Sequence, residues 1–385
     1  MKKNTMTQIA TGLATLLLIT TTANAEDAKP YSKHKFFGFS QIGLQAGDGA
    51  KKSDDADFKM DADRIRLGWK YFSGPLAGKV FLDFAKTGDS GAGMPDMIKD
   101  AFISYKMSSS AVVKAGMIKT PVGMGFTIPG WNLDVIKRGF DKKLAFERAS
   151  GIMLSGRAIG GSGKVNGLEM GHERPWNGFG YDVMVSGQTG RSGAVTNAKA
   201  GNDNAYMGRV MYDRGQMIHV EAGYGLSKNA GGIAGFKKSD GELVGVNGTE
   251  DYKLLNVGLD SHFEGSNFKA EYYDAQNIKG TDGWDMNTLA LTGTYYVTDT
   301  VELAVKDIRG TETRGGNDAD AANTYLGVNY YINPKNNKMD RKNRRSRNQH
   351  RIQLNYVLAD VDDDFKGVGA LYKEDAILAQ YQFKF

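Results

Sequence analysis

Five basic side chains crowd one stretch of thirty residues, 120–149, which reads TPVGMGFTIPGWNLDVIKRGFDKKLAFERA. They are Lys137, Arg138, Lys142, Lys143 and Arg148, with Lys119 just before them. Asp134, Asp141 and Glu147 oppose the five and leave an excess of two positive charges within the stretch. Fixed cations at that density attract anions and repel cations. The competing interpretation is a surface loop of balanced salt bridges. A second basic run, NPKNNKMDRKNRRSRN at 333–348, sets seven basic residues against Asp340. Such runs bind nucleic acid or phosphates in other settings. In an exported chain no nucleic-acid partner is expected, and the run reads as a solvated loop that can touch an anionic envelope component.

No catalytic or metal-binding constellation stands out beside these cations. The acidic groups Asp54, Asp55, Asp57, Asp61 and Asp63, and Asp360, Asp362, Asp363 and Asp364, lack the glycine and terminal glutamate of a twelve-residue calcium loop. The histidines His34, His172, His219, His262 and His350 are scattered and form no HExxH motif. No phosphate-loop motif GxxxxGK[ST] is present. The chain has no cysteine, which removes disulfides and thiolate metal sites. No cofactor, no metal and no enzymatic reaction are therefore expected.

The elements that must hold the cations follow from a period of two. At the start, Lys2 and Lys3, an apolar run from Ile9 to Ile19 and the small residues Ala23-Asn24-Ala25 read as a signal peptide over residues 1–25. Its apolar part is too short to span a bilayer as a helix. Removing it takes two lysines from 49 basic residues and leaves 47 − 44 = +3, a balance that names no partner. Later, no stretch reaches 18 apolar residues, so no transmembrane helix is expected. From Arg64 the chain reads RIRLGWKY, with Ile65, Leu67, Trp69 and Tyr71 on one face and Arg64, Arg66, Gly68 and Lys70 on the other. Similar segments recur, about sixteen in all, with the residues from Lys164 to Gly171 open as one more. Fifty glycines, seven prolines, and 18 each of Tyr and Phe suit a transmembrane antiparallel β-barrel, in which only alternate wall residues need be apolar.

Two patterns favour the barrel over a soluble sandwich. With the first strand rising from the periplasm, short connections follow even strands: 73–75, 108–110, 213–215, 265–266 and 298–299. Long ones follow odd strands: 47–58, 86–96, 120–149, 190–202, 228–250 and 311–320. The segments 161–177 and 333–348 break the rule. The second pattern is the last strand, where Ile377, Ala379, Tyr381, Phe383 and Phe385 alternate with Gln380, Gln382 and Lys384. So apolar an edge invites aggregation unless it closes on the first strand. Strand phase then points Arg64, Arg66, Lys70, Arg157 and Arg209 into the lumen.

Several segments are similar to a known family. Asp100-Ala101-Phe102-Ile103-Ser104-Tyr105, Ala115-Gly116-Met117-Ile118-Lys119-Thr120-Pro121-Val122-Gly123, Glu147-Arg148 before a glycine-containing strand, and Leu326-Gly327-Val328-Asn329-Tyr330-Tyr331-Ile332-Asn333-Pro334 resemble porins of the porin O and P, phosphate-selective, type. The resemblance covers most of the mature chain. It implies an all-β barrel of sixteen strands over 26–385, a homotrimer in the outer membrane, and a third loop, here 120–149, folded into the lumen. It also implies passive diffusion of small hydrophilic solutes past outer-membrane lipid and lipopolysaccharide. No full arginine ladder aligns, so the expectation is small anionic solutes in general, with phosphate as one candidate. The alternative is a barrel that serves as an adhesin, a structural protein or an enzyme scaffold.

Overall fold

The structure is a computed structural model that describes residues 32–47, 58–86, 97–165, 167–168, 176–187, 204–228, 236–237, 243–244, 250–332, 350–369 and 371–385. The proposed signal peptide and the basic run at 333–348 lie outside these residues.

Sixteen antiparallel strands form one closed barrel. In chain order they are β1 (Ser32–Ala46), β2 (Phe58–Ser73), β3 (Leu76–Asp83), β4 (Ile98–Ser108), β5 (Ala111–Lys119), β6 (Arg148–Gly163), β7 (Trp176–Ser186) and β8 (Ala205–Arg214). The second half comprises β9 (Ile218–Ser227), β10 (Tyr252–Phe263), β11 (Ser266–Gln276), β12 (Trp284–Tyr296), β13 (Val301–Arg314), β14 (Asn317–Tyr331), β15 (His350–Val361) and β16 (Ala376–Lys384). A two-residue ribbon, Phe236–Lys237 with Leu243–Val244, lies outside the barrel ladder. Each strand pairs with its sequence neighbours, and β1 closes the cylinder on β16 from Phe39↔Lys384 to Ala46↔Ile377. The amide of Gly38 donates to the carbonyl of Phe385 at 3.1 Å, and the amide of Phe385 returns the bond to Gly38 at 3.1 Å. The seam needs a glycine there. A Cβ on Gly38 would meet the Phe385 ring and the Arg66 carbonyl, each at 2.6 Å. Closure matters because an unpaired backbone group in hydrocarbon costs several kcal/mol.

Which face is buried separates the barrel from the sandwich. On β7, Phe179, Val183 and Val185 are exposed, at 61%, 53% and 45%, while Asp182 and Met184 between them are each 1% exposed. Leu354, Leu326, Val305 and Ile103 are likewise exposed, while the polar residues Gln353, Asn355 and Asn323 are buried. A soluble sheet buries its apolar face; a membrane barrel turns that face to lipid. Aromatic side chains gather at the short-turn rim, where Phe179 meets Tyr212 at 5.0 Å and Phe383 meets Phe385 at 5.7 Å. Such a girdle marks the level where hydrocarbon gives way to headgroups.

Three connections differ from the sequence expectation. The loop expected at 311–320 is strand: β13 and β14 run to a tight turn at Gly315 and Gly316, whose φ values of 56° and 84° suit glycine. Residues 161–163 extend β6, and Lys164, Val165, Gly167 and Leu168 form no strand, so no seventeenth wall strand is added. Val165 and Leu168 are buried, and Val165 packs with Val112 and Trp176. The final strand begins at Ala376, which leaves 362–375 as the eighth loop on the long-loop side.

Candidate functional site

The third long loop, 120–147, folds into the lumen. Its base is pinned where Thr120 donates to the Glu147 carbonyl through its amide at 3.0 Å and through its hydroxyl at 2.8 Å. Glu147 takes a left-handed φ of 54°, an uncommon conformation for a non-glycine residue, and turns the chain back into β6. The loop then crosses to the far wall. Gln41 of β1 donates to the Gly130 carbonyl at 3.1 Å, Arg351 of β15 to the Leu133 carbonyl at 2.8 Å, and Asn329 of β14 to the Asp134 carbonyl at 2.9 Å. The amide of Ile136 donates to Asn355 at 2.7 Å, and the amide of Gly125 donates to Glu271 of β11 at 2.8 Å. These wall groups satisfy backbone polar groups that have no regular ladder of their own.

The loop's underside explains its depth. Val122, Met124, Phe126, Val135, Ile136, Phe140, Leu144 and Phe146 are buried, and Val122, Phe140 and Leu144 are fully so. Most of them join one core with inward-facing Met207, Leu254, Tyr273, Met286, Ile308 and Tyr325 of β8 to β14. At roughly 1.5–3 kcal/mol per large apolar side chain, this packing is the main force holding the loop inside. The lumen therefore has an apolar half, covered by the loop, and a polar half along β1 to β6.

A cavity of about 560 Å³ remains between the loop and that polar half. Ten basic side chains line it: Arg64, Arg66, Lys79, Lys99, Lys119, Lys137, Arg138, Lys142, Lys143 and Arg148. Four acidic ones, Asp63, Asp83, Asp100 and Glu147, oppose them, a difference of 10 − 4 = 6. The acids are shared. Asp83 takes Arg66 at 2.9 Å and Lys99 at 3.3 Å, while Asp100 takes Arg148 at 2.9 Å together with Lys79. Lys137 pairs with Asp63, and Lys142 with Glu147. Arg64, Lys119 and Arg138 bond neutral oxygens instead: Gln41 Oε1 at 2.5 Å, the Thr127 carbonyl at 3.0 Å, and the Gly125 carbonyl at 3.1 Å together with that of Ile128. Among the described residues no carboxylate lies within ion-pair distance of these three. Burial lowers the Lys137 amine below the usual lysine range, against the pull of Asp63. Burial, then the charges of Lys143 and Arg138, lowers Lys142 well below it.

Of the eleven cations that the sequence singles out, eight meet at this cavity: Lys119, Lys137, Arg138, Lys142, Lys143, Arg148, Arg64 and Arg66. The other three do not line it. Lys70 lies nearer the short-turn end, with its amine 5.0 Å from the centre of the Phe37 ring. Arg157 points inward as its phase requires but is 2% exposed and forks onto both oxygens of Asp182 at 2.9 Å. Arg209, equally buried, bridges Asp182 at 2.6 Å and Glu221 at 2.9 Å. Charge matching within β6 to β9 consumes both guanidinium groups. Lys79 and Lys99 were missed. Lys79 shares the phase of Phe81 and Asp83, so its signal was in the alternation. Lys99 sits where the β3–β4 register shifts between Phe81 and Leu82, a bulge that lets consecutive Lys99 and Asp100 both turn inward. A count of two hides such a residue.

Comparison with known proteins follows this geometry. No curated protein matches the chain in sequence. Among solved structures, a loop-deletion form of OmpT, an outer membrane protein of Vibrio cholerae, superposes with a TM-score of 0.61 at 15% identity, over 92% of this chain and 99% of that one. The anion-selective porin of Comamonas acidovorans superposes at 0.59 with 14% identity, over 92% and 100%. The outer membrane channel DcaP of Acinetobacter baumannii superposes at 0.58 with 12% identity, over 94% and 99%. At such identities the likeness is one of fold. The family model for Gram-negative porins matches residues 12–336, most of the chain, and the protein is a member of that family, a β-barrel of the outer membrane.

Proposed function

We propose that the protein is a passive outer-membrane channel with anion preference, whose selectivity filter is the cationic cavity between the third loop and β2 to β6. The observation that carries this is the excess of six basic over acidic side chains around about 560 Å³ of open space. In water, six unit charges at about 8 Å stabilise a monovalent anion by roughly 3 kcal/mol, and physiological salt screens this to roughly 1 kcal/mol. A cation is disfavoured by a similar amount, so the difference is roughly 2 kcal/mol and the preference about thirty-fold. Low-dielectric protein walls strengthen the field further.

The solute class that fits is small hydrophilic anions. The resemblance to the phosphate-selective type makes phosphate one candidate, and the guanidinium groups of Arg64 and Arg138, which hold no carboxylate, suit its oxygens. A homotrimer in contact with lipopolysaccharide is the expected assembly for this fold. Purified protein added to a planar bilayer should give stepwise single-channel currents. A correctly folded barrel that stays electrically silent would favour an adhesive, structural or enzyme-scaffold role instead.

A further inference from the structure

The eighth loop, described at 362–369 and 371–375, also enters the lumen. Phe365 is fully buried and meets Phe140 of the third loop edge-on, with ring centres 5.7 Å apart. Glu312 of β13 faces inward and accepts the amides of Lys366 at 2.7 Å and Gly367 at 3.1 Å, while its other oxygen takes the indole of Trp284 at 2.5 Å. Asn323 of β14 fastens the far end of the loop: its amide group donates to the Tyr372 carbonyl at 2.8 Å, and the Tyr372 amide donates back at 3.0 Å. The Tyr372 hydroxyl reaches Gln45 of β1 at 3.1 Å and ties the loop across the seam. Gly369 lies against Lys143, since a Cβ there would meet its Cε at 4.0 Å. The result is that Leu371 and Tyr372 line the cationic cavity.

We infer that loop 362–375 is the second jaw of the constriction, and that Leu371 and Tyr372 set the size of solute that passes. The inference rests on the channel reading and adds a division of labour to it. Wall and third-loop cations supply the charge preference. The eighth loop contributes no charged group to the cavity lining, so it supplies a steric and apolar edge. Four anchors hold it: the aromatic contact with Phe140, the Glu312 carboxylate, the Asn323 amide and the Tyr372 hydroxyl on Gln45. Loosening the edge should therefore change the width of the path and leave its charge alone.

The absence of cysteine from the chain makes the test clean. A single Leu371→Cys variant of the full-length protein in a planar bilayer should lose conductance when a thiol-specific methanethiosulfonate reagent is added. Asp364→Cys, exposed on the same loop, should show no loss. Separately, Leu371→Ala with Tyr372→Ala should raise conductance by roughly 1.5-fold or more and admit larger neutral sugars into proteoliposomes, while the reversal potential keeps its sign. A conducting channel whose current ignores modification at position 371, and whose sugar cut-off is unchanged in the double variant, overturns the jaw alone. Wild-type protein that folds but carries no current overturns the channel reading and the jaw together.

Discussion

Arg66 and Arg157 are both guanidinium groups at inward-facing strand positions, yet only one borders open space. Arg66 shares Asp83 with Lys99, so the local sum stays positive at the cavity. Arg157 is enclosed and forked onto Asp182, which Arg209 also holds. Phase told the direction of both side chains. It could not tell which would be covered, because the covering partners come from other strands. Arg157→Gln should therefore leave ion selectivity unchanged. It should lower the temperature at which the folded gel band is lost, since breaking a buried pair costs about 3 kcal/mol or more. The lysines of the third loop make a different prediction. Lys137 and Lys142 have amines lowered by burial, so their charge is present at low pH and is lost as pH rises through the lowered values. Anion preference should fall as pH rises, and the fall should begin below the pH at which exposed lysines, near ~10.4, titrate.

At the scale of elements, the strands were more legible than the turns. RIRLGWKY gave the phase of β2 because its outer residues are apolar and its inner ones basic. Only the tip of the β13–β14 hairpin reads as a loop, because its outer face changes character: Asp307, Arg309, Thr311, Thr313, Asp318 and Asp320 replace the apolar residues that mark the wall lower down. Polar residues on both faces look like a loop, although Thr311 and Asp320, and Thr313 and Asp318, are bonded cross-strand partners at 2.6 Å. The third loop was legible through its break in period, and four of its basic side chains line the cavity. Its apolar underside was present in the sequence too, but its partners on β8 to β14 are inward positions that a simple polar-lumen rule assigns to water. Phe140 joins both loops to the wall. Phe140→Ala should cost about 3–5 kcal/mol of barrel stability. It should also loosen both jaws, seen as a larger and noisier single-channel current.

The whole molecule is a cylinder with an uneven lumen. Lipid sets the outside, a closed backbone ladder sets the wall, and the inside is divided between a packed apolar half and a cationic open half. The fold class was legible because alternation, loop parity and an aromatic last strand all point the same way. The division of the lumen was not, because it depends on where one loop comes to rest among ten or more strands. Replacing Lys137, Arg138, Lys142 and Lys143 together by glutamine removes four of the ten cavity cations and leaves 10 − 4 − 4 = +2. The preference should then drop several-fold, with conductance largely retained. Replacing the basic residues at 341–347 should barely move it.

The most direct measurement is the zero-current potential of the wild-type channel across a KCl gradient. This account predicts the sign set by chloride moving more readily than potassium, with the magnitude shrinking as total salt rises. A potential of the opposite sign, from a folded and conducting barrel, would contradict it.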